Sequence, residues 1–156
     1  MNPTPLDRET ILRRIDGIHG ELAELRKLVL IPPPEFAEGI GFKLSQFHLH
    51  RALEGVFHIG SHILSRIPGA QASGYKDVAV KLGEHKIVPK PFAEGPLKNM
   101  AGYRNRLVHF YAEITPDEIR KIITSHLADV EAFLKAAKEV LSNPERFGIA
   151  KDQRAN

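Results

Sequence analysis

From Tyr103 to Tyr111 the chain reads Tyr-Arg-Asn-Arg-Leu-Val-His-Phe-Tyr, placing Arg104, His109 and Tyr111 in the spacing Arg-x4-His-x-Tyr. A guanidinium fork can grip two oxygens of a phosphoryl group and neutralise charge that develops there. An imidazole with an unperturbed pKa near 6.5 can take or give a proton at neutral pH. Leu97, Met100, Ala101, Leu107 and Val108 recur at helical spacing and predict a buried stripe. Arg104 falls on that stripe, three residues after Ala101 and three before Leu107. An arginine there costs several kcal/mol unless it is paired or opens into a cleft. Tyr111 follows it by seven residues, two turns on, and should return to nearly the same azimuth.

Gly102, Asn105 and His109 form a second, polar line, spaced three and four apart. On a straight helix Arg104 and His109 would stand about 140° apart, so they cannot meet one ligand atom as rigid neighbours. The expected site therefore lies at a helix–helix seam where a two-fold mate can add a second copy of each group. Asn105, one turn before His109, is placed to orient the imidazole or a phosphate.

Arg104-Asn105-Arg106-Leu107-Val108-His109-Phe110-Tyr111 resembles the signature of HEPN-domain proteins, within the HepT-like branch of toxin ribonucleases. The surroundings agree: His50-Arg51-Ala52-Leu53-Glu54 upstream, Ser73-Gly74-Tyr75 opening a short helix, Met100 leading into the motif, and Thr115-Pro116-Asp117-Glu118 after it. The likeness spans roughly residues 40 to 135. It implies an all-α, four- to five-helix up-down bundle that dimerises and cleaves RNA without a metal ion. The family's catalytic arginine and histidine fall on Arg104 and His109, with Asn105 and Arg106 in support. Its signature tyrosine falls on Tyr111, which a minimal nucleotidyltransferase antitoxin would adenylylate to silence the toxin. No cofactor is implied. The expected partners are RNA, that antitoxin and a second copy of the chain, with a larger hetero-oligomer left open. The alternative is a non-catalytic HEPN module that binds a nucleotide or the nucleotidyltransferase.

The elements that must hold these residues are helical throughout. Ile11, Ile15, Ile18, Leu22, Leu25 and Val29 form a narrow seam on a first helix expected to begin at Pro5 behind Thr4. Gly17 and Gly20 there suggest a close helix crossing, and Pro32-Pro33-Pro34 ends the helix. A second helix is expected from about Glu35 to Ile67, then a short one carrying Val78, Val80 and Leu82, then a motif helix starting at Pro96. Thr115, Pro116 and Glu118 make a capping box for a last helix reaching Leu141. The domain is thus expected over residues 1–142, with 143–156 a poorly ordered tail.

With 156 residues, 42% hydrophobic and 26% charged, the chain suits one ordinary globular domain. The absence of cysteine excludes disulfides and thiolate metal sites and suits a cytoplasmic protein. Met1 to Asp7 lack the pattern of a secretory signal, and Leu28 to Ile31 is the longest aliphatic run, so no membrane association is expected. A formal charge of +3 fits RNA but does not argue for it. Arg51, Arg66, Arg106, Lys98 and Lys76 are the residues that would line an RNA groove if they cluster, and each taken singly reads as a solvated surface charge. Glu54, His58 and His62 stand at i, i+4 and i+8. They read as a polar stripe, since Glu54 and His62 lie about 12 Å apart along a helix and cannot share an ion. Phosphate-binding loops, nucleophile elbows and dinucleotide fingerprints are absent.

Overall fold

The computed structural model describes residues 3–109 and 114–154. All regular structure among them is helical. Helix α1 spans Arg8–Leu28, α2 Pro33–Glu38, α3 Ile40–Ser65, α4 Tyr75–Glu84, α5 Lys90–Phe92, α6 Lys98–Val108, α7 Pro116–Ser125 and α8 Leu127–Ser142. A π-helical turn, Ala93–Leu97, joins α5 to α6. None of the described helices is long and apolar enough to cross a membrane.

Helix α3 is the spine, packed against α1, α2, α4, α6, α7 and α8. Leu49, Leu53, Val56, Phe57, Ile59, Ile63 and Leu64 give it one broad buried face. The expected seam of α1 lies against it, with Ile11, Ile15, Ile18, Leu22 and Leu25 all buried. The two helices run antiparallel, because Asp7 meets His62 while Glu21 meets His48 and Arg51. Gly17 and Gly20 do not make the crossing, since a side chain on either would touch nothing. Gly55 makes it instead: a Cβ there would come within 2.8 Å of Ile18. Gly60 does the same for α4, where a Cβ would stand 3.0 Å from Leu82 and Val78. That close approach packs α4 along the C-terminal half of α3, and its first residue, Tyr75, meets Phe57.

Several helix ends differ from expectation for local reasons. Helix α1 starts at Arg8 because Asp7 caps it, accepting from Thr10 N at 3.1 Å and from the Thr10 hydroxyl at 2.7 Å. Pro33 and Pro34 open α2 instead of merely ending α1, as proline suits a first helical turn. The long second helix is broken at Gly39, whose extended backbone leaves no room for a Cβ beside the Glu35 carbonyl, 2.8 Å away. Pro96 does not start the motif helix but lies inside the π turn, where the Lys98 N–H reaches back to Ala93 O. The last helix is divided at His126 into α7 and α8. Residues 143–149 are not a tail: Pro144–Phe147 form a 3-10 turn, Gly148 turns left-handed at φ +75°, and Ile149 is buried at 2% exposure. The apolar Ile149 side chain supplies the reason, so the packed unit reaches past the expected boundary at 142.

Candidate functional site around Arg104

Arg104 is carried by α6 on the side facing α3, below buried Leu97 and Ala101. The expected stripe fades beyond it, with Leu107 partly buried and Val108 exposed. The burial penalty on Arg104 is met by Glu54 of α3. Arg104 Nε donates to Glu54 Oε2 at 2.8 Å and Nη2 donates to Oε1 at 3.1 Å. This two-point fork is the strongest pairing open to the two groups. Tyr75, the first residue of α4, lies under the guanidinium with its ring centroid 4.4 Å from Cζ. Phe57 stacks on the other face of Tyr75 at 4.8 Å. Arg104 Nη1 donates to Asn105 Oδ1 at 3.3 Å.

The charges of this cluster support one another. The hydrogen bond from Arg104 holds the Glu54 carboxyl below the ordinary glutamate range, against the opposing effect of burial. The same bond raises Arg104 further above its usual value. Burial, followed by the Glu54 charge, pushes the Tyr75 hydroxyl up, so it stays protonated beside Glu54. With side chains 23% and 26% exposed, Arg104 and Glu54 form a pair that is largely, but not wholly, withdrawn from solvent. Among the described residues, three of the five N–H groups of Arg104 are engaged, which leaves two for a ligand.

Helix α6 ends at Val108. His109 adopts an extended backbone, φ −97° and ψ 119°, while its N–H still donates to Asn105 O at 3.2 Å. The exposed His109 side chain therefore leaves from the helix end, and the angle of a straight helix does not apply to it. Tyr111, like Phe110, lies outside the described residues.

Arg106 points elsewhere and grips Glu118 of α7, with Nη2 donating to Oε2 at 2.8 Å and Nη1 to Oε1. Glu118 is the third residue of the expected capping box, and half of that box forms. Thr115 Oγ1 accepts from Glu118 N at 3.2 Å, but the Glu118 carboxylate goes to Arg106. Its pKa is lowered, chiefly by that hydrogen bond. The pair ties the end of α6 to the start of α7, the two ends of the link that carries His109 and Tyr111.

The structure thus joins Arg104 to Asn105, sets Arg106 on another face and leaves His109 at the helix end. Sequence reasoning missed Glu54 as the partner of Arg104 and missed Tyr75 as its platform. Glu54 did give a signal, as a carboxylate between Leu53 and Val56 on the most buried helix. The histidines read as a polar stripe have other partners. His58 Nδ1 is 3.1 Å from Arg14 Nη1 while its Nε2 is 3.9 Å from Glu54 Oε1, and His62 Nε2 accepts the Asp7 N–H at 3.0 Å. No group of three or more His, Asp or Glu among the described residues could hold a metal ion. Of the five basic candidates, Lys76, Lys98 and Arg106 share a groove, whereas Arg51 pairs with Glu21 and Arg66 donates to Pro5 O.

Comparison with known proteins gives a consistent answer. The chain is 29% identical over 130 residues to the mRNA nuclease HepT of Shewanella oneidensis, covering 79% of this chain and 97% of that protein. It is 23% identical over 139 residues to the tRNA nuclease HepT of Aphanizomenon flos-aquae, covering 88% and 94%. The fold matches that of the tri-AMPylated Shewanella oneidensis HEPN toxin solved in complex with MNT antitoxin, with TM-score 0.69, 24% identity and coverage of 83% of this chain and 96% of that one. The family model for ribonuclease HepT-like proteins matches residues 36–137, which include the whole Arg104 cluster. The chain belongs to the ribonuclease HepT-like family.

Proposed function

We propose that this chain is a metal-independent endoribonuclease toxin in which Arg104 and His109 are the catalytic residues, acting as a homodimer. The observation that carries the reading is an arginine oriented by Glu54 and Tyr75, with donors to spare, five residues before an exposed histidine that leaves the helix end. The nuclease names of the two relatives support it. RNA brings its own nucleophile. The 2′-oxygen attacks the adjacent phosphorus, a new O–P bond forms, and the P–O5′ bond breaks. His109 handles one proton, taken from the 2′-hydroxyl or delivered to the leaving 5′-oxygen. The second copy of the chain supplies the opposite partner. The two remaining donors of Arg104 face the non-bridging oxygens, whose charge grows toward the pentacoordinate state. Asn105, bonded to Arg104, keeps the fork in register. The products are a 2′,3′-cyclic phosphate and a 5′-hydroxyl.

Silencing would act at Tyr111, two residues after His109 in the chain. A nucleotidyltransferase antitoxin would transfer adenylate from ATP to the Tyr111 oxygen, with release of pyrophosphate. The phosphodiester then brings negative charge to the catalytic end of α6 and obstructs the RNA path. The AMPylated state of the Shewanella toxin beside its antitoxin supports this step.

The test uses the purified chain in EDTA. RNA should be cut by the wild type and at least about 100-fold more slowly by Arg104→Ala and by His109→Ala, with helical content unchanged. Loss of wild-type cleavage in EDTA, or full activity in both variants, would overturn the mechanism. With the cognate nucleotidyltransferase and ATP, mass spectrometry should place adenylate on Tyr111 and none on Tyr111→Phe. A label on Tyr75 or Tyr103 would redirect the assignment.

A further inference from the structure

Helix α6 carries a glycine that its own fold does not require. Gly102 lies mid-helix, where glycine costs about 1 kcal/mol against alanine. A Cβ built there would meet nothing within 4 Å among the described residues, so no packing among them calls for its absence. It lies on the floor of a groove of about 270 Å³ whose other walls are Lys76, Lys98, Asn99, Tyr103 and Arg106. Lys98, Gly102 and Arg106 are spaced four apart and so share one face of α6 over about 12 Å. Lys76 closes the groove from the second residue of α4, directly after the Tyr75 that supports Arg104. The same face runs on toward His109, three residues beyond Arg106 and at the helix end.

No carboxylate lines this groove. A second groove, between α1 and α3, also has an open glycine, Gly17, but is lined by Glu21 and Glu54 as well as basic residues. Of these two grooves, the α6 groove has the charge for a polyanion, chiefly from Lys76 and Lys98, since Arg106 is paired with Glu118. A seam between two copies of the chain fits it less well, because a two-fold contact would gather the same lysines from both partners.

We propose that the Lys76–Lys98–Gly102–Arg106 groove is the binding track for the RNA strand that leads to His109, a subsite that rests on the nuclease reading. The lysines hold successive phosphates, as backbone contacts do in other complexes. Gly102 lets the sugar–phosphate chain lie against the helix backbone. Tyr103 offers a ring on which a base can stack.

The test measures binding of a single-stranded 2′-O-methyl RNA, which cannot be cleaved, by fluorescence anisotropy across a salt series. Wild type should bind with a clear salt slope. Lys76→Gln/Lys98→Gln should weaken binding about tenfold and reduce the slope by about 1.4, the share of two charges on a single strand. Gly102→Leu should fill the groove and weaken binding by a similar factor, while melting no lower than the wild type because leucine is the better helix former. Unchanged affinity in both variants, or no RNA binding by the wild type, would overturn the proposal. A shift in oligomeric mass with Gly102→Leu would overturn it too, by making this face a contact between copies. Intact groove-dependent binding with no cleavage of ordinary RNA would instead remove the nuclease reading and leave the groove standing.

Discussion

Arg104 and Arg106 stand two residues apart on α6, and each grips a glutamate with both arms of its fork. Their surroundings differ. Arg104 is held from α3, the buried spine, with an aromatic ring beneath it and 23% of its side chain exposed. Arg106 is held from the first turn of α7, with 35% exposed. The Arg104 pair is fixed by three helices, so it can present a positive charge in a set direction. The Arg106 pair fastens two helix ends together and leaves its outer side on a groove. The same two residue types thus hold a charge in a set direction in one place and make a staple in the other, and the scaffold behind the glutamate decides which.

The widest separation between the two should appear on replacement by lysine. Arg104→Lys keeps the charge but cannot hold Glu54 at two points and face a phosphoryl group as well. It should lose about 100-fold in cleavage rate. Arg106→Lys should lose no more than a few-fold and change stability by about 0.5 kcal/mol or less, as expected for a solvent-screened pair. Equal losses in single-turnover assays would erase the distinction drawn here.

A smaller effect is expected at Glu54, which holds Arg104 at two points. Glu54→Gln should lower kcat about tenfold with little change in KM, since the fork loses its direction and not its charge. Stability should fall by about 1–2 kcal/mol at neutral pH, between the values for exposed and buried pairs. The sign of the pH dependence follows from the depressed carboxyl. Its stabilisation is fully present above the ordinary glutamate value of 4.5 and is lost as pH falls through the lower folded value. Urea titrations of wild type and Glu54→Gln should therefore converge on acidification. A gap that stays constant down to pH 3 would mean that the Glu54 charge does not anchor the pair.

Much of this was legible in the chain. The seam of α1, the cap at Thr115 and the all-helical class follow from spacing and from proline and threonine chemistry, which act over a few residues. The need for a partner at Arg104 was legible for the same reason, as a charge on an apolar stripe. The partner was not, because Glu54 lies 50 residues away and only tertiary packing brings it there. Gly39 and His126 broke helices that periodicity alone would continue, since the apolar pattern runs through both breaks. Pro96 misled as a helix start because a π turn can absorb a proline without ending the helix. His109 turned out to end α6, which makes its direction a matter of the cap and not of helical phase.

The most direct measurement is the chemistry of the cut ends. A defined RNA should be incubated with the protein in EDTA and its fragments weighed by mass spectrometry, alongside the same RNA with a single 2′-deoxy residue at the cleavage position. Attack by the 2′-oxygen predicts a 2′,3′-cyclic phosphate on one fragment, a 5′-hydroxyl on the other, and no cut at the deoxy residue. A 5′-phosphate end, or cleavage at the deoxy position, would contradict it.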